Sequence, residues 1–391
     1  MSDHIPFDIQ VEIIKRLPIR SLIRVRSVSK VWKSVIESSD FIVDYTVHNH
    51  DQPQHLLIRY DNLYSEETYV SIVDDDTFPQ NKVSIIVPPS VNLLWDSFVV
   101  GASHGLVCLF GYYRNHDDAE YYSGTAMAVL WNPSIRKSVA IAVPDVDWPA
   151  GTNFGFGVCP ATSDPKIVKI TDTHTHKRMK GVSCSRHWLV EVFSLSSRVW
   201  RSSVGNLSDN LFEIKWPHSQ VIIDGSVYWF GTKISTSDTK FELFISFDLS
   251  TEEFREIYLP NTLAFHDPMY MYLFKLCDSL IVLQEWSMNG IYKVWMMDNG
   301  DSKSFTNLCN VNIPNLSSCP LEFRRNGELM MRLTDDSDAL IVYNPFLEHM
   351  NDLGIEGQCY SSLVSSYTES LILLDQADTL VDDEDDEETI V

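Results

Sequence analysis

The stretch IPFDIQVEIIKRLPIRSLIRVRSVSKVWKSVI, residues 5–36, has the apolar spacing of helices, whereas almost all of the later chain has strand-like spacing. Ile9, Ile13 and Leu17 lie at i, i+4 and i+8, which places them on one face of a helix. Pro18 cannot continue a helix, because it lacks the N–H and restricts the residue before it. The sequence therefore predicts a first helix that ends before Pro18.

Two further short helices are expected in the same stretch. Ser21 can cap a second helix that carries Leu22 and Val25, and Ser27 or Ser29 can cap a third. The third helix would carry an apolar stripe of Val28, Val31, Trp32, Val35 and Ile36. Three helices in about forty residues bury too little apolar surface to be stable alone. They must pack either on the rest of this chain or on a partner protein.

The rest of the chain is predicted to be mainly β. The helical spacing is expected to end near Asp40, and short apolar or alternating runs bounded by Asp, Asn, Gly, Pro and Ser follow. These runs include residues 56–58, 69–73, 106–110, 128–131, 190–193, 227–230, 243–247, 280–283, 340–343 and 371–374.

The strand-like runs repeat. A small polar turn followed by an apolar run recurs near positions 225, 279, 327 and 370. These intervals are close to the roughly 40–50 residues that a blade of four short strands needs. The sequence predicts a β-propeller of six or seven blades, with a multi-sheet sandwich as the second interpretation.

The charge of the chain excludes one class of partner and favours another. The chain has 391 residues and a formal net charge of −24, which argues against nonspecific binding to nucleic acid. Residues 382–388 are seven consecutive acids, and residues 379–391 are predicted to form a disordered acidic tail. Subtracting those seven charges from −24 leaves −17, so the body itself is acidic and favours a basic target.

Neither a secretion signal nor a membrane span is visible in the sequence. The N-terminus lacks a basic region followed by an apolar run, and no uncharged stretch reaches the roughly 20 apolar residues of a span. The seven cysteines show no regular pairing and are predicted to be reduced. We expect a protein of the cytoplasm, the nucleus or both.

The sequence offers no catalytic motif. The run FGFG at residues 154–157 lacks the third glycine and the helix of a dinucleotide-binding loop, which favours a structural strand. His48 and His50, and also His174 and His176, could share a strand face, but no cluster of zinc ligands surrounds them. We therefore predict no metal, no cofactor and no active site.

Two basic segments stand out in this acidic chain. Lys177, Arg178, Lys180 and Arg186 lie between two strand-like runs, and either a solvated hairpin or a target-binding loop accounts for them. The helical stretch carries seven cations with no acid between them: Lys15, Arg16, Arg20, Arg24, Arg26, Lys30 and Lys33. They form either a solvated helical face or a docking surface for an acidic partner protein.

The helical stretch resembles the F-box motif of plant F-box proteins. The resemblance rests on Ile5, Pro6, Asp8, Glu12, Ile13, Ile14, Arg16, Leu17, Pro18, Ser21, Leu22, Arg24, Arg26, Val28, Ser29, Lys30, Trp32 and Ile36. The chain departs from the family at Ile5, where Leu is usual, and at Ser27, where Cys is usual. The resemblance implies binding to a Skp-type adaptor and, through it, to a cullin-based ubiquitin ligase.

The β-rich region is similar to the F-box-associated, kelch-like domain of the same proteins. The similar segments are GLV at 105–107, LWNPS at 130–134, FGFGV at 154–158, IVKI at 167–170, VFSL at 192–195 and GSVYW at 225–229. The pattern fits self-incompatibility S-locus F-box proteins as well as other members. It implies an F-box domain at residues 1–45, a propeller domain at 46–378 and the acidic tail at 379–391.

The resemblance implies a non-catalytic substrate-recognition subunit of an SCF-type (Skp-cullin-F-box) ubiquitin ligase. The residues expected to contact the adaptor, or to support that contact, are Ile5, Pro6, Ile9, Ile13, Leu17, Pro18, Leu22, Val25, Val28 and Trp32. Two alternatives stay open at this point. One is a propeller enzyme whose N-terminal helices close the fold, and the other is a scaffold that binds partners without ubiquitination.

Overall fold

The computed structural model describes most of the chain. The described residues are 5–48, 53–61, 67–114, 124–146, 151–173, 188–203, 207, 211–214, 220–234, 239–267, 270–287, 290–298, 300, 303–313, 318–334, 338–357 and 363–376.

Four helices precede the first strand: α1 (Phe7–Ile14), α2 (Ile19–Arg26), α3 (Lys30–Ile36) and α4 (Ser39–His48). The cap predicted for α3 is confirmed, because the Ser29 hydroxyl accepts a hydrogen bond from the Trp32 N–H at 3.2 Å. The predicted cap of α2 is wrong. Pro18 occupies that position with its fixed φ, and Ser21 lies inside the helix. Leu17 follows the end of α1 and is not part of it.

The fourth helix corrects the prediction that helical structure ends near Asp40. The Ser38 hydroxyl accepts a hydrogen bond from the Phe41 N–H at 3.3 Å, which begins α4. Phe41, Ile42 and Tyr45 lie on one side of this helix and are buried. Aromatic and β-branched residues favour strands, so these residues masked the helical spacing in the sequence.

The strands in chain order begin with β1 (Gln54–Asp61), β2 (Glu67–Val73), β3 (Lys82–Ser84), β4 (Leu94–Ser103), β5 (Leu106–Tyr113), β6 (Thr125–Asn132), β7 (Lys137–Ala142), β8 (Thr152–Val158), β9 (Pro165–Asp172), β10 (Trp188–Ser194), β11 (Val199–Ser202) and β12 (Leu211–Ile214). They continue with β13 (Val221–Ile223), β14 (Ser226–Ile234), β15 (Lys240–Asp248), β16 (Phe254–Tyr258), β17 (Met271–Leu276), β18 (Ser279–Ser287), β19 (Ile291–Met297), β20 (Phe305–Asn312), β21 (Ser318–Phe323), β22 (Leu329–Leu333), β23 (Ala339–Asn344), β24 (His349–Glu356) and β25 (Leu363–Thr368). One-turn helices α5 (Pro89–Asn92) and α6 (Asn261–Ala264) interrupt the series.

The described strands form six antiparallel sheets, which are the blades of a propeller. Five blades use consecutive strands: β4–β7, β8–β11, β12–β16, β17–β20 and β21–β24. The remaining blade joins β25 to β1, β2 and β3, so the last of the described strands pairs with the first of them. The predicted propeller is confirmed with six blades, and the closed ring rules out the sandwich.

The propeller core lies between neighbouring blades. Side chains alternate along each strand, so Leu56 and Ile58 of β1 face the blade of β21–β24, whereas Leu57 faces the blade of β4–β7. Six apolar clusters fill the six spaces between blades in this way. Trp131 and Trp229 are fully or almost fully buried in them, as expected for blade-core aromatics.

The FGFG run is structural, as predicted, and belongs to the fully buried strand β8. A Cβ atom on Gly155 would lie 2.3 Å from Cζ2 of Trp229, and one on Gly157 would lie 2.0 Å from Cδ1 of Ile222. Both glycines therefore allow the next blade to pack closely against β8.

The two ends of the propeller differ. The end that carries the hairpin turns 133–136 and 195–198 also carries the C-terminal turn 371–376, and we call it the F-box face. The opposite end carries the connections between β5 and β6, between β9 and β10, and between β14 and β15, and we call it the loop face. In an antiparallel blade, the first–second and third–fourth turns must lie at one end and the other connections at the other end.

Candidate functional site

The four N-terminal helices share one apolar cluster with the end of the chain. Its buried members are Ile14, Ile19, Leu22, Ile36, Phe41, Ile42 and Tyr45 from the helices, and Leu371 and Leu374 from the C-terminal turn. Residues 371–374 were predicted to be a strand, and this prediction is wrong. The chain leaves β25 after Thr368, and the apolar run is buried against helices instead of a neighbouring strand.

Asn132 holds this C-terminal turn to the propeller. Its Nδ2 lies 2.9 Å from the Ser370 carbonyl oxygen and 2.8 Å from the Ile372 carbonyl oxygen, and the side chain is fully buried. Ile135, in the same hairpin turn, packs against the helical cluster. Residues 132–135 therefore contact both the C-terminal turn, through Asn132, and the helical cluster, through Ile135.

Two basic side chains fix the last described residue, Gln376. The Lys137 ammonium lies 3.3 Å from its carbonyl oxygen, and the Arg198 guanidinium donates to its Oε1 at 2.6 Å. The C-terminal turn therefore crosses two blades on the F-box face and reaches its end beside the helices.

A second apolar face of the helices is not covered by the described chain. It consists of Ile5, Phe7, Ile9 and Ile13 at α1, with Val28 and Val31 at α3, and these side chains are between 43% and 76% exposed. We call these six residues the adaptor face. An apolar patch of this kind on a soluble protein indicates an interaction site.

A ring stack joins two of the helices that carry these exposed residues. Phe7 and Trp32 lie with their ring centroids 5.2 Å apart at an interplanar angle of 24°. This contact holds the start of α1 beside α3. Ile9 and Ile13 lie on a different side of α1 from Phe7, since they follow it by two and six residues in a helix of about 3.6 residues per turn.

The structure divides the residues expected to contact or support an adaptor into three groups. Ile5, Pro6, Ile9, Ile13, Pro18 and Val28 are exposed; Leu17, Val25 and Trp32 are half-buried against the helical cluster; and Leu22 is fully buried within it. Leu22 can therefore only support a contact. The sequence reasoning did not select Phe7 or Val31 as contacts. Val28 was predicted to lie on the third helix, and this is wrong, because it precedes the Ser29 cap and lies outside α3. Contact with an adaptor stays a prediction for the exposed group.

The seven cations of the helical stretch are not equivalent. Lys15 lies 2.8 Å from carboxylates of both Glu12 and Asp44, which ties α1 to α4, and these hydrogen bonds raise the pKa of Lys15. Arg26 pairs with Glu37.

The other five cations are exposed: Arg16, Arg20, Arg24, Lys30 and Lys33. No carboxylate of the described residues comes within ion-pair distance of these five side chains.

The segment with Lys177, Arg178, Lys180 and Arg186 lies outside the described residues. The strands before and after it are described, and Asp172 of β9 pairs with Trp188 of β10 where the segment leaves and rejoins the blade. The seven residues of β10 separate this point from the F-box face by roughly 20 Å. The ends of the segment therefore lie on the loop face.

The loop face also presents aromatic side chains. Tyr258, Phe265 and Trp286 are each at least half exposed. The Lys293 ammonium lies 3.1 Å from the centroid of the Trp286 ring, and His266 is stacked with the same ring at 6.5 Å. These contacts hold Trp286 in one orientation. Exposed Tyr and Trp are frequent at the energetic centre of protein interfaces.

The described residues contain no group of three or more His, Cys, Asp or Glu side chains that could hold a metal ion. Cys108, Cys159, Cys277, Cys309 and Cys319 are free thiols. None of the helices in the described ranges has the length and apolarity to cross a membrane. His50, His174 and His176, and the side chain of His48, lie outside the described part.

Family comparisons agree with this architecture. Residues 2–44 match the model of the F-box domain, and residues 121–372 match the model of the F-box associated beta propeller domain. The chain belongs to the F-box-associated β-propeller family. An F-box joined to this domain implies a bound Skp-type adaptor and a bound target protein, and it suggests the role of an SCF adaptor.

Curated relatives place the chain among plant F-box proteins. An F-box/kelch-repeat protein of Arabidopsis thaliana is 25% identical over 65% of this chain and 65% of its own length. A second F-box/kelch-repeat protein of that plant is 26% identical over 94% of this chain and 98% of its own length.

Solved structures resemble the chain only distantly. A Trypanosoma rangeli sialidase in complex with the inhibitor DANA is 10% identical over 77% of this chain and 49% of its own, with a TM-score of 0.38. A mutant of AofleA from Arthrobotrys oligospora is 8% identical over 80% of this chain and 86% of its own, with a TM-score of 0.41. Similarity at this level carries no argument about function.

Proposed function

We propose that this protein is a substrate-recognition subunit of an SCF-type ubiquitin ligase. In this role the adaptor face binds a Skp-type adaptor, which connects the protein to a cullin, and the loop face binds a target protein. One observation carries the proposal: an apolar helical face remains exposed beside the F-box face of the propeller, while the long connections gather at the opposite end.

The composition of the adaptor face suits a protein partner. The exposed apolar side chains of two adjacent helices can fill a groove in an adaptor, and burial of each such side chain contributes roughly 1.5–3 kcal/mol. Lys30 and Lys33 lie on α3 between and beside Val28 and Val31 and have no carboxylate partner among the described residues. They would favour an adaptor with an acidic surface.

The loop face suits the target. It lies at the opposite end of the propeller from the helices, so an adaptor and a target would not compete for the same surface. The connection between β9 and β10 supplies basic residues, and Tyr258, Phe265 and Trp286 supply apolar anchors. The acidic body of the protein would still favour approach of a basic target over long distances.

No chemical step is assigned to this chain. Its contribution would be to hold a target near the enzyme that transfers ubiquitin, which raises the local concentration of the reacting groups. Such a complex would work in the cytoplasm, the nucleus or both. The division into residues 1–45, 46–378 and 379–391 also remains our proposal for the domain boundaries.

The test inserts charge into one face at a time. Ile9→Asp with Ile13→Asp should reduce co-purification of a Skp-type adaptor at least about tenfold, because buried unpaired carboxylates cost more than the 1.4 kcal/mol of a tenfold change. Tyr258→Asp with Phe265→Asp is the matched control on the loop face and should leave adaptor binding unchanged. Equal binding by both variants would exclude the adaptor face as the contact.

The same two variants distinguish a ligase subunit from a scaffold. In a reconstituted ubiquitination reaction, proteins captured by the propeller should lose ubiquitin transfer with the Ile9 and Ile13 substitutions while they remain bound. If captured proteins are never ubiquitinated, even by the unaltered chain with adaptor and cullin, the scaffold interpretation is correct.

A further inference from the structure

One outer edge of the propeller lacks the features that prevent strands of different molecules from pairing. The blades contact one another through β25, β4, β8, β13, β17 and β21, so the outer strands are β3, β7, β11, β16, β20 and β24. An outer strand presents unpaired backbone N–H and C=O groups, which charged residues or a very short strand usually protect. β20 has eight residues and contains neither a charged residue nor a proline.

The other five outer strands carry such protection. β3, β11 and β16 have only three, four and five residues, and each contains Lys or Arg. β7 begins with Lys137. β24 is as long as β20 but contains Asp352 and Glu356. Among the outer strands of the described chain, β20 alone is both long and uncharged.

The centre of β20 projects an apolar side chain. Residues 306–310 are all exposed. Val294 of β19 pairs with Cys309 and Trp295 pairs with Asn307, so Leu308 between them is the extra residue of a β-bulge. Its side chain is 48% exposed.

The backbone of β20 is open on its outer side over most of its length. At the loop-face end, the Asn312 carbonyl oxygen accepts a hydrogen bond from the Tyr343 hydroxyl of the next blade at 2.6 Å. From Phe305 to Val311, no described residue outside the β17–β20 blade bonds to the backbone of this strand. An extended strand can therefore pair with this edge.

The polar side chains of β20 are complementary to copies of themselves. The Thr306 hydroxyl and the amides of Asn307 and Asn310 each donate and accept hydrogen bonds. A two-fold axis beside the strand would place β20 antiparallel to its own copy. Within β20 no register then opposes like charges, which would be destabilising. A charged strand would find no opposite charge on this edge.

From these observations we propose that β20 pairs antiparallel with β20 of a second copy of this chain, with the two-fold axis at Leu308. The pairing joins two four-stranded blades into one continuous sheet and covers each Leu308 side chain with its copy. The shared edge lies on the outer rim of the propeller, so the F-box face and the loop face both remain accessible. The inference concerns the protein alone and does not depend on the proposed ligase role.

Sedimentation equilibrium of the full chain tests the association. The mass should rise from 44.8 kDa toward twice that value as concentration increases. Leu308→Lys places two ammonium groups against each other at the axis and should weaken association at least about tenfold. Asn351→Lys, at an exposed position of the equally long β24, is the matched control and should leave association unchanged.

The salt dependence of association has a definite sign. Two copies with a net charge of −24 repel each other, whereas the paired strands carry no charge. Association should therefore strengthen severalfold from about 0.01 M to about 0.15 M salt, as the Debye length falls from about 30 Å to about 8 Å. Association that weakens with salt would indicate contacts between opposite charges and would contradict the pairing of β20.

A cysteine at the axis tests the register. In a Cys309→Ser background, Leu308→Cys should form an intermolecular disulfide on mild oxidation. Directly opposed residues of antiparallel strands have Cα atoms about 4.5–5.5 Å apart, within the range of a disulfide. Asn351→Cys in the same background is the matched control and should form little.

Circular dichroism shows whether each variant is folded. A monomer at every concentration, equal association of Leu308→Lys and the unaltered chain, or equal disulfide formation by the two cysteine variants would each overturn the proposal.

Discussion

The F-box presents two apolar surfaces that look alike in sequence and differ in structure. Leu22 and Ile36 are fully buried, and the C-terminal turn of the propeller covers them through Leu371 and Leu374. Ile9, Ile13 and Val28 have the same apolar character but stay exposed. The C-terminal turn, residues 371–376, therefore covers one side of the N-terminal helices, and the described part of the chain leaves the other side uncovered.

This difference distinguishes residues that stabilise the fold from residues that can contact a partner. A residue that the chain itself covers contributes to stability and affects a partner only through the position of its neighbours. A residue that the chain leaves uncovered contributes little to folding and is free to contact a partner directly. Substitutions that act on stability should therefore map to the cluster, and those that act on adaptor binding alone should map to the adaptor face.

The largest expected effect is on the covered surface. Leu22→Ala should lower the free energy of unfolding by about 2–5 kcal/mol, because it leaves a cavity in a fully buried cluster. Ile13→Ala, on the adaptor face, should change it by no more than about 0.5 kcal/mol. Urea denaturation followed by circular dichroism measures both. Similar losses of unfolding free energy for the two variants would contradict the distinction between the covered and the exposed surface.

A smaller effect is expected at Asn132, which attaches the C-terminal turn to the propeller. Asn132→Ala removes the donor that bonds the carbonyls of Ser370 and Ile372, and unsatisfied buried acceptors cost about 1–3 kcal/mol. The matched control is Asn344→Ala in the corresponding turn of another blade. That side chain bonds Glu328 at 2.8 Å and holds no part of the C-terminal turn.

Hydrogen exchange distinguishes the two asparagine variants. Asn132→Ala should speed exchange in α2 and α4, since the C-terminal turn that covers them loses its attachment. Asn344→Ala should leave exchange in those helices unchanged. Faster exchange in α2 and α4 with the Asn344 variant would show that the helices do not depend on this particular attachment.

The smallest effect is expected at the ion pairs of Lys15. Lys15→Met should cost about 0.5–1 kcal/mol near neutral pH, because the pairs with Glu12 and Asp44 are partly exposed. The pKa of Lys15 is raised in the folded state. Its contribution is therefore complete below the unfolded pKa of about 10.5 and is lost as pH rises through the folded pKa.

A pH series tests this sign. The difference in unfolding free energy between the unaltered chain and the Lys15→Met variant should stay constant from neutral pH to about pH 10 and shrink at higher pH. A difference that grows above pH 10 would show that Lys15 is less basic in the folded chain.

Much of the architecture follows from local pattern. Short apolar runs with turn residues predict the blade strands, because alternation of side chains determines which residues face each neighbouring blade. The Ser29 cap could also be predicted from the sequence, because its hydrogen-bond partner, Trp32, lies only three residues away. The predicted turn repeat reflects the six blades, although its irregular spacing did not separate six from seven.

What the sequence did not reveal depends on distant contacts. Residues 371–374 have the composition of a strand, and only their position beside α2 and α4 shows that they cover helices. For the same reason the sequence could not separate Leu22 from Ile13, since both lie on apolar helix faces. Leu371 and Leu374, more than 300 residues later in the chain, decide which of those faces is covered.

The packing of the N-terminal helices against the C-terminal turn also has a consequence during synthesis of the chain. The helices α1–α4 are synthesised before β25, Leu371 and Leu374, which lie more than 300 residues later in the chain. A nascent or shortened chain that stops before residue 371 has the helices but lacks Leu371 and Leu374, which form part of the apolar cluster of the helices. The complete helical cluster can therefore form only after translation has passed residue 374. In a prematurely ended chain, the helices would lack the support of the C-terminal turn.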